Sequence, residues 1–392
     1  MIALETLPFL TSPAGARALA WLAEQDLADE NSLRLLTALR REHAPAEAGA
    51  ALELARLRRA AVAKFGSDAA HLYFTREALE QASDPRIRRW RAAGSAGLRV
   101  VDAGCSIGTD SLAYAAAGAV VTGIDRDPLR TALARLNAAA LNLDVKFETG
   151  DVRDALSPAD LIFFDPARRA ADGQRVFSVE RYEPPLSTLR QWHAPRIRVK
   201  LAPGVKRAEI EPYGGNLIFI SVAGELKEAL LDLGGETAAA GAAALLFHGD
   251  QVCYWGAEAI AAAPISAPRA YLIEPDPALI RAGLVAAAAL RWEAAQLDPT
   301  TAYLTADAAP ATPWARAWRI EDWLPFNIKA LRAALRERDI GRVTVKKRGT
   351  AVTPEALIPQ LKLNGGQART LVLTRWQGRQ IVLICEEMPE AH

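Results

Sequence analysis

Six short runs of β-branched and aromatic residues, at 98–101, 120–124, 145–147, 161–164, 197–201 and 217–222, alternate with stretches of helical spacing. No other feature constrains the fold as strongly. Strands that alternate with helices are joined by right-handed crossovers, so the expected product is an α/β fold built on a largely parallel sheet. The apolar runs 243–247 and 251–255 flank a Gly249-Asp250 pair, which supplies a tight turn and predicts a hairpin at one edge of that sheet.

A chain of 392 residues has room for two or three compact units. Residues 1–94 are rich in Ala, Leu, Arg and Glu, with apolar residues at helical spacing (Leu33, Leu36, Leu39, then Leu52, Leu54, Leu57), and predict a helical N-terminal region. The alternating sheet occupies 95–263. Residues 264–325, opened by Pro264, Pro268, Pro275 and Pro277, read as a connecting region of helix and irregular chain. The last part, 326–392, reads as a small α+β unit: an amphipathic helix with Ile328, Leu331 and Leu335 inward, a strand at 343–345, a helix near 354–361, and strands at 370–374 and 381–385.

Composition excludes several classes. The longest apolar stretch, 238–247, falls short of the roughly 20 residues that span a bilayer, so no transmembrane helix is expected. Glu5, the absence of Lys or Arg from the first turns, and Pro8 and Pro13 argue against a secretory signal, and a cytoplasmic location follows. The three cysteines, Cys105, Cys253 and Cys385, lie far apart with no paired spacing, so neither a disulfide framework nor a metal site is expected. The net charge of +1 does not mark a nucleic-acid binder, but it conceals an asymmetry: from Phe326 onward, 12 Lys and Arg face 6 Asp and Glu. Lys329, Arg332 and Arg336 share one helical stripe, and Lys346, Lys347 and Arg348 end a strand before Gly349. Such cations either track a phosphate backbone or form a solvated face.

The residues that carry chemistry lie where strands end. The segment Val100-Val101-Asp102-Ala103-Gly104-Cys105-Ser106-Ile107-Gly108 takes a buried strand into a glycine-bearing turn and then a helix. Its glycines let backbone approach a ligand and the helix start offers free amides. Ser106 stands where a dinucleotide fold would want its middle glycine, so that pattern is not met, and Asp102 suits a cationic ligand better than a pyrophosphate. Asp125 ends the second strand, placed to accept both hydroxyls of a ribose, and Gly150-Asp151 follows the third. The fourth strand ends in Asp165-Pro166-Ala167-Arg168-Arg169, where proline fixes a turn that presents a carboxylate. Lys200 closes the fifth strand, either beside a phosphate or as a packed stem with an exposed head. Upstream, Thr75 is placed to cap a helix from Arg76, and Phe74 and Gln81 either reach a cofactor or pack. Asp165, Lys200 and Glu225 also follow in the order of a ribose 2′-O-methyltransferase set, without its first lysine.

The turn from Asp102 to Gly108 resembles motif I of class I methyltransferases, and Asp165 to Arg168 resembles motif IV of nucleic-acid methyltransferases, with Ala167 and Arg168 departing from its usual Pro and aromatic. Together with Val199-Lys200-Leu201-Ala202-Pro203-Gly204 and the basic C-terminus, they make the chain similar to a bacterial methyltransferase family that carries a C-terminal THUMP-like domain. The resemblance covers the chain from about Phe74 onward. It implies a Rossmann-like sheet and S-adenosylmethionine held by Phe74, Asp102, Gly104, Ser106, Gly108, Asp125 and Asp151. It implies Asp165, Pro166 and Arg168 as the catalytic turn, and RNA, either tRNA or rRNA, as the substrate contacted by Lys200, Lys346, Lys347 and Arg348. A base nitrogen is the favoured acceptor. The competing readings are an RNA-binding protein that has lost catalysis and a methyltransferase for a protein or small molecule.

Overall fold

A computed structural model of the chain describes residues 2–167, 178–234, 241–258 and 262–388. They fall into two compact units. The first runs to Gly215 and resumes at Ala229; the second comprises Asn216–Glu228 and the chain from Gly241 on.

The first unit opens with helices α1 (Leu7–Leu10), α2 (Pro13–Ala23), α3 (Ser32–Leu39), α4 (Pro45–Phe65), α5 (Arg76–Gln81) and α6 (Pro85–Ala92). Proline sits in the first turn of α2, α4 and α6, where its missing N–H is no loss. Side chains supply several caps: Ser12 Oγ accepts from Gly15 N at 3.1 Å, and Thr75 Oγ1 accepts from Ala78 N at 3.2 Å, as expected for α5. Strands β1 (Arg99–Ala103), β2 (Val120–Asp125), β3 (Val145–Thr149), β4 (Leu161–Phe164) and β5 (Arg196–Leu201) are parallel, and helices α7 (Thr109–Ala116) and α8 (Pro128–Ala140) make the first two crossovers. The short helix α9 (Arg207–Ile210) follows β5. After β6 (Asn216–Val222), β7 (Glu225–Leu233) returns antiparallel to β5, so the order in this unit is β3-β2-β1-β4-β5-β7.

The N-terminal helices are not a separate module. Their core of Leu22, Leu35, Leu54 and Phe74 is continuous with Ile107 of the glycine turn and Leu133 of α8. Asn137, buried in α8, fastens the same junction: its Oδ1 accepts from Tyr73 N at 2.7 Å, and its Nδ2 donates to Tyr73 O and Ile107 O, each at 3.0 Å.

In the second unit β6 lies beside β8 (Gly241–His248), which turns at Gly249-Asp250 into β9 (Gln251–Trp255), the expected hairpin. A separate seven-stranded sheet has the order β11-β12-β10-β13-β16-β15-β14. Its strands are β10 (Tyr271–Pro275), β11 (Ala295–Gln296), β12 (Leu304–Ala306), β13 (Ala315–Pro325), β14 (Ile340–Lys347), β15 (Gln367–Trp376) and β16 (Arg379–Glu387). Helices α10 (Pro277–Ala282) and α11 (Val285–Arg291) precede β11; α12 (Ile328–Glu337) and α13 (Pro354–Leu361) pack Leu331, Leu335, Leu357 and Leu361 on β14 to β16.

The segment 264–325 therefore differs from the expected irregular connection, since four of the seven strands come from it. Its prolines lie at strand ends and in the links between strands. The run Ala315-Arg316-Ala317-Trp318-Arg319-Ile320 carries no clean alternation of polar and apolar residues, and the strand is fixed instead by distant partners, since β13 pairs with both β10 and β16. Among the described residues no helix is long and apolar enough to cross a membrane.

Asn137→Ala leaves one half-buried N–H and two carbonyls without partners, so chemical denaturation should show a loss of about 1–3 kcal/mol. A change below about 0.5 kcal/mol, the usual size for a neutral surface substitution, would contradict this role.

Candidate active site

Because β1 lies between β2 and β4, the carboxyl ends of three strands converge on the turn after β1. The backbone there is unusual: Gly104, Ser106 and Gly108 have φ of 84°, 52° and 83°. Glycine takes such angles freely, whereas Ser106 does not, and hydrogen bonds hold it. Ser106 N donates to Asp125 Oδ2 at 2.9 Å, and Asp127 N donates to Asp125 Oδ1 at 2.9 Å. The Asp125 carboxylate is thus buried and fixed by two backbone amides, and each oxygen retains capacity for a further donor. Gly150 N donates to the Asp125 carbonyl at 3.1 Å, which brings the turn after β3 to the same place.

Asp102 is 1% exposed. Its Oδ2 accepts from Ser111 Oγ at 2.5 Å, while the buried Oδ1 has no hydrogen-bond partner among the described residues. Burial first, and the Asp110 charge second, push its carboxyl up to about 8. Asp110 behaves oppositely. Burial raises it, but Arg91 at 2.5 Å together with Lys200 and Arg88 outweigh burial and hold it below the ordinary carboxylate range. An unpaired buried oxygen at the end of β1 is the feature that a cationic amino group would complete, and the fixed carboxylate of Asp125 matches a ribose diol. The residues present therefore fit S-adenosylmethionine. Cys105 is buried and its thiol is pushed well above its usual range, mainly by burial, so it is a packing residue and no nucleophile.

Other expected residues lie elsewhere or are already engaged. Arg153 donates from Nε to both oxygens of Asp151, at 2.9 and 3.0 Å, and lowers that carboxyl to about 2, chiefly through these side-chain hydrogen bonds. Phe74, expected at the cofactor, is fully buried and packs on Phe65 with ring centroids 5.2 Å apart.

Asp165 follows β4 with its backbone against the cofactor turn: a Cβ at Gly104 would lie 2.9 Å from Asp165 O. Its side chain is 25% exposed, and its Oδ2 accepts from Lys200 Nζ at 2.7 Å. Lys200 is therefore neither a free phosphate contact nor an exposed head on a packed stem; its side chain is 3% exposed and its ammonium also donates to Gln81 O at 3.0 Å. Pro166 is buried, and Ala167 exchanges two backbone hydrogen bonds with Glu183, each 3.0 Å. Arg168 lies outside the described residues. Glu225 pairs with Lys227 at the exposed start of β7.

In the second unit one carboxylate holds two of the three cations at 346–348. Glu274 accepts from Lys346 Nζ at 2.7 Å and from an Arg348 terminal nitrogen at 3.0 Å, and Lys346 lies 4.4 Å from the buried Trp318 ring. Lys347 is exposed. Four positioning residues escaped the sequence reading: Ser111, Asn137, Arg91 and Asp110. The one local trace of them is Asn137, a weak helix former in an Ala- and Leu-rich helix.

Residues 100–167 match the pattern of a family described as a methyltransferase domain, 315–387 that of a THUMP domain-like family, and 3–61 that of a domain of unknown function. The THUMP-like match starts where β13 starts, ahead of the expected 326. Two relatives from Mycobacterium tuberculosis, strains CDC 1551 / Oshkosh and ATCC 25618 / H37Rv, are named uncharacterized S-adenosylmethionine-dependent methyltransferases. Each is 35% identical over 335 residues, covering 83% of this chain and 92% of its own. A crystal structure of a candidate methyltransferase from Porphyromonas gingivalis W83 shares the fold, with a TM-score of 0.78 at 22% identity, over 95% of this chain and 98% of its own.

The buried Asp102 carboxyl has a consequence for stability. Its folded-state value is raised, so its penalty is absent at low pH, where folded and unfolded chains both hold the proton, and grows as pH rises toward about 8. Asp102→Asn should therefore gain at least about 1 kcal/mol on the wild type between about pH 5 and about pH 8, and little more above that. Parallel denaturation curves across this range would contradict the burial argument.

Proposed function

We propose that this chain, which belongs to the family of S-adenosylmethionine-dependent methyltransferases, methylates a base nitrogen in RNA. The observation that carries the reading is the contact between the cofactor turn at Gly104 and the Asp165 turn, which sets an acceptor-binding carboxylate beside the methyl donor's site. When bound, S-adenosylmethionine supplies the methyl group: the acceptor lone pair takes the carbon, the C–S electron pair stays on sulfur, and the nitrogen's proton leaves to water. The chain's own part is positioning. Asp125 accepts the ribose hydroxyls, Asp102 Oδ1 receives the methionyl ammonium, and Gly104 and Gly108 admit the backbone turn between them. Asp151 keeps its salt bridge to Arg153 and offers the adenine its remaining lone pairs. Asp165 accepts a hydrogen bond from an amino group of the base, with Oδ2 held by Lys200 and Oδ1 without a partner among the described residues. Pro166 fixes this turn.

RNA is favoured over protein or a small molecule by the C-terminal cations and the THUMP-like match, since THUMP domains proper occur in tRNA-modifying enzymes. The contacts are redistributed relative to the sequence expectation. Lys346 and Arg348 share the single carboxylate of Glu274, whereas Lys329, Arg336, Lys347 and Lys362 are exposed and make no ion pair among the described residues. Those four are the phosphate contacts of this reading.

The test is transfer of labelled methyl to total RNA from cells that lack this chain, followed by mass spectrometry of the nucleosides. Label on a base nitrogen is expected. Reversing Lys329 and Arg336 to Glu should raise KM for RNA roughly tenfold and flatten its salt dependence with kcat kept. Label in protein would overturn the RNA assignment, and label on the ribose 2′-oxygen would overturn the base nitrogen.

A further inference from the structure

Two ammonium groups take four consecutive backbone carbonyls at the end of α5. Lys64 Nζ, from α4, donates to Leu79 O at 2.7 Å, Glu80 O at 3.1 Å and Ala82 O at 2.7 Å. Lys200 Nζ, from the end of β5, donates to Gln81 O at 3.0 Å. The last carbonyls of a helix have no partner within it, so these lysines supply what α5 lacks. Lys200 does something more, because its ammonium also donates to Asp165 Oδ2 at 2.7 Å. A lysine side chain only 3% exposed, with one acceptor on the N-terminal helices and another on the β4 turn, has little freedom to move. Stability alone is a weak reason for such a pair: a buried ion pair loses much of its attraction to desolvation, and replacing both partners by apolar groups is often neutral.

We propose that Lys200 is a positioning residue for methyl transfer. Anchored at Gln81 O, it fixes Asp165 through Oδ2 and leaves Oδ1 as the oxygen that receives the acceptor's amino group. The N-terminal helices thereby take part in catalysis without touching the substrate, since their α5 carbonyl sets where Lys200 stands. This rests on the reading of Asp165 as the acceptor-binding carboxylate.

The experiment compares Lys200→Met, Lys200→Arg, Asp165→Ala and the double variant Asp165→Ala/Lys200→Met in the labelled-methyl assay, with S-adenosylhomocysteine titrated into each. The expected result for Lys200→Met is a fall in kcat of about 10²-fold, the scale for a displaced positioning group. Its KM for RNA and its affinity for S-adenosylhomocysteine should stay within about twofold, a split that general loosening of the fold would not give. Lys200→Arg keeps the charge and two donors and should recover part of the rate. The double variant should be no slower than Asp165→Ala, because Lys200 acts through that carboxylate. Full turnover in Lys200→Met, or multiplicative losses in the double variant, would overturn the proposal. If Lys200→Met does not fold, Asp165→Asn/Lys200→Met carries no unpaired charge and is compared with Asp165→Asn: equal turnover supports the proposal and a slower double variant overturns it. A wild-type protein that labels protein and not RNA defeats the RNA assignment alone, and the same comparisons on that acceptor then decide the role of Lys200. No label in either fraction overturns both.

Discussion

Two backbone amides, Ser106 N and Asp127 N, grip the carboxylate of Asp125 from either side, and much of the surrounding chain is shaped by that grip. Reaching Asp125 forces Ser106 into a left-handed conformation that a side-chain-bearing residue enters at a cost of about 1–2 kcal/mol. It also requires β1 and β2 to be parallel neighbours, with Gly104 N and Cys105 N both on Ile124 O, at 2.8 and 3.0 Å. The Phe147 ring fills the space beneath the turn so closely that a Cβ at Gly123 would come within 2.6 Å of it and one at Gly108 within 3.0 Å. Glycine at those two positions is a packing requirement.

The second constraint is charge. Asp102, Asp110, Arg91 and Lys200 are all buried, and Asp165 is partly so. Buried charges persist when they are paired and hydrogen-bonded. Arg91 with Asp110 and Lys200 with Asp165 satisfy that condition, which leaves Asp102 as the member whose carboxyl is raised and whose Oδ1 is unpaired. Within a fold otherwise held by apolar packing, the unbalanced group sits at the carboxyl end of β1. A cationic ligand there would complete a set that the protein leaves incomplete.

Local signals made much of this readable. The β-branched runs announced β1 to β6, Gly249-Asp250 announced the β8–β9 hairpin, and the elements from 326 on lie where their periodicity placed them. What escaped depends on distant partners. The sequence Glu225-Leu226-Lys227-Glu228-Ala229-Leu230-Leu231-Asp232-Leu233 is composed of good helix formers, yet it is strand β7. Ala223 and Gly224, both at positive φ, turn the chain back, and pairing of the second half of this strand with β5, from Ala229↔Leu201 to Leu233↔Ile197, outweighs propensity. At the site, the strand-end positions of Asp102, Asp125 and Asp165 were legible because strand order fixes them. The intramolecular partners of Lys200, Phe74, Lys346 and Arg348 were not legible, because Asp165, Phe65 and Glu274 lie from 9 to 74 residues away in sequence.

The cofactor site depends first on the Asp125 carboxylate as the acceptor for the ribose hydroxyls. Titration calorimetry of S-adenosylhomocysteine against the wild type and Asp125→Ala tests it most directly, with thermal melts to show that both are folded. The expected result is a loss of about 1.5–3 kcal/mol in binding free energy, the range for hydrogen bonds to a charged group. An unchanged dissociation constant in a folded variant would contradict it.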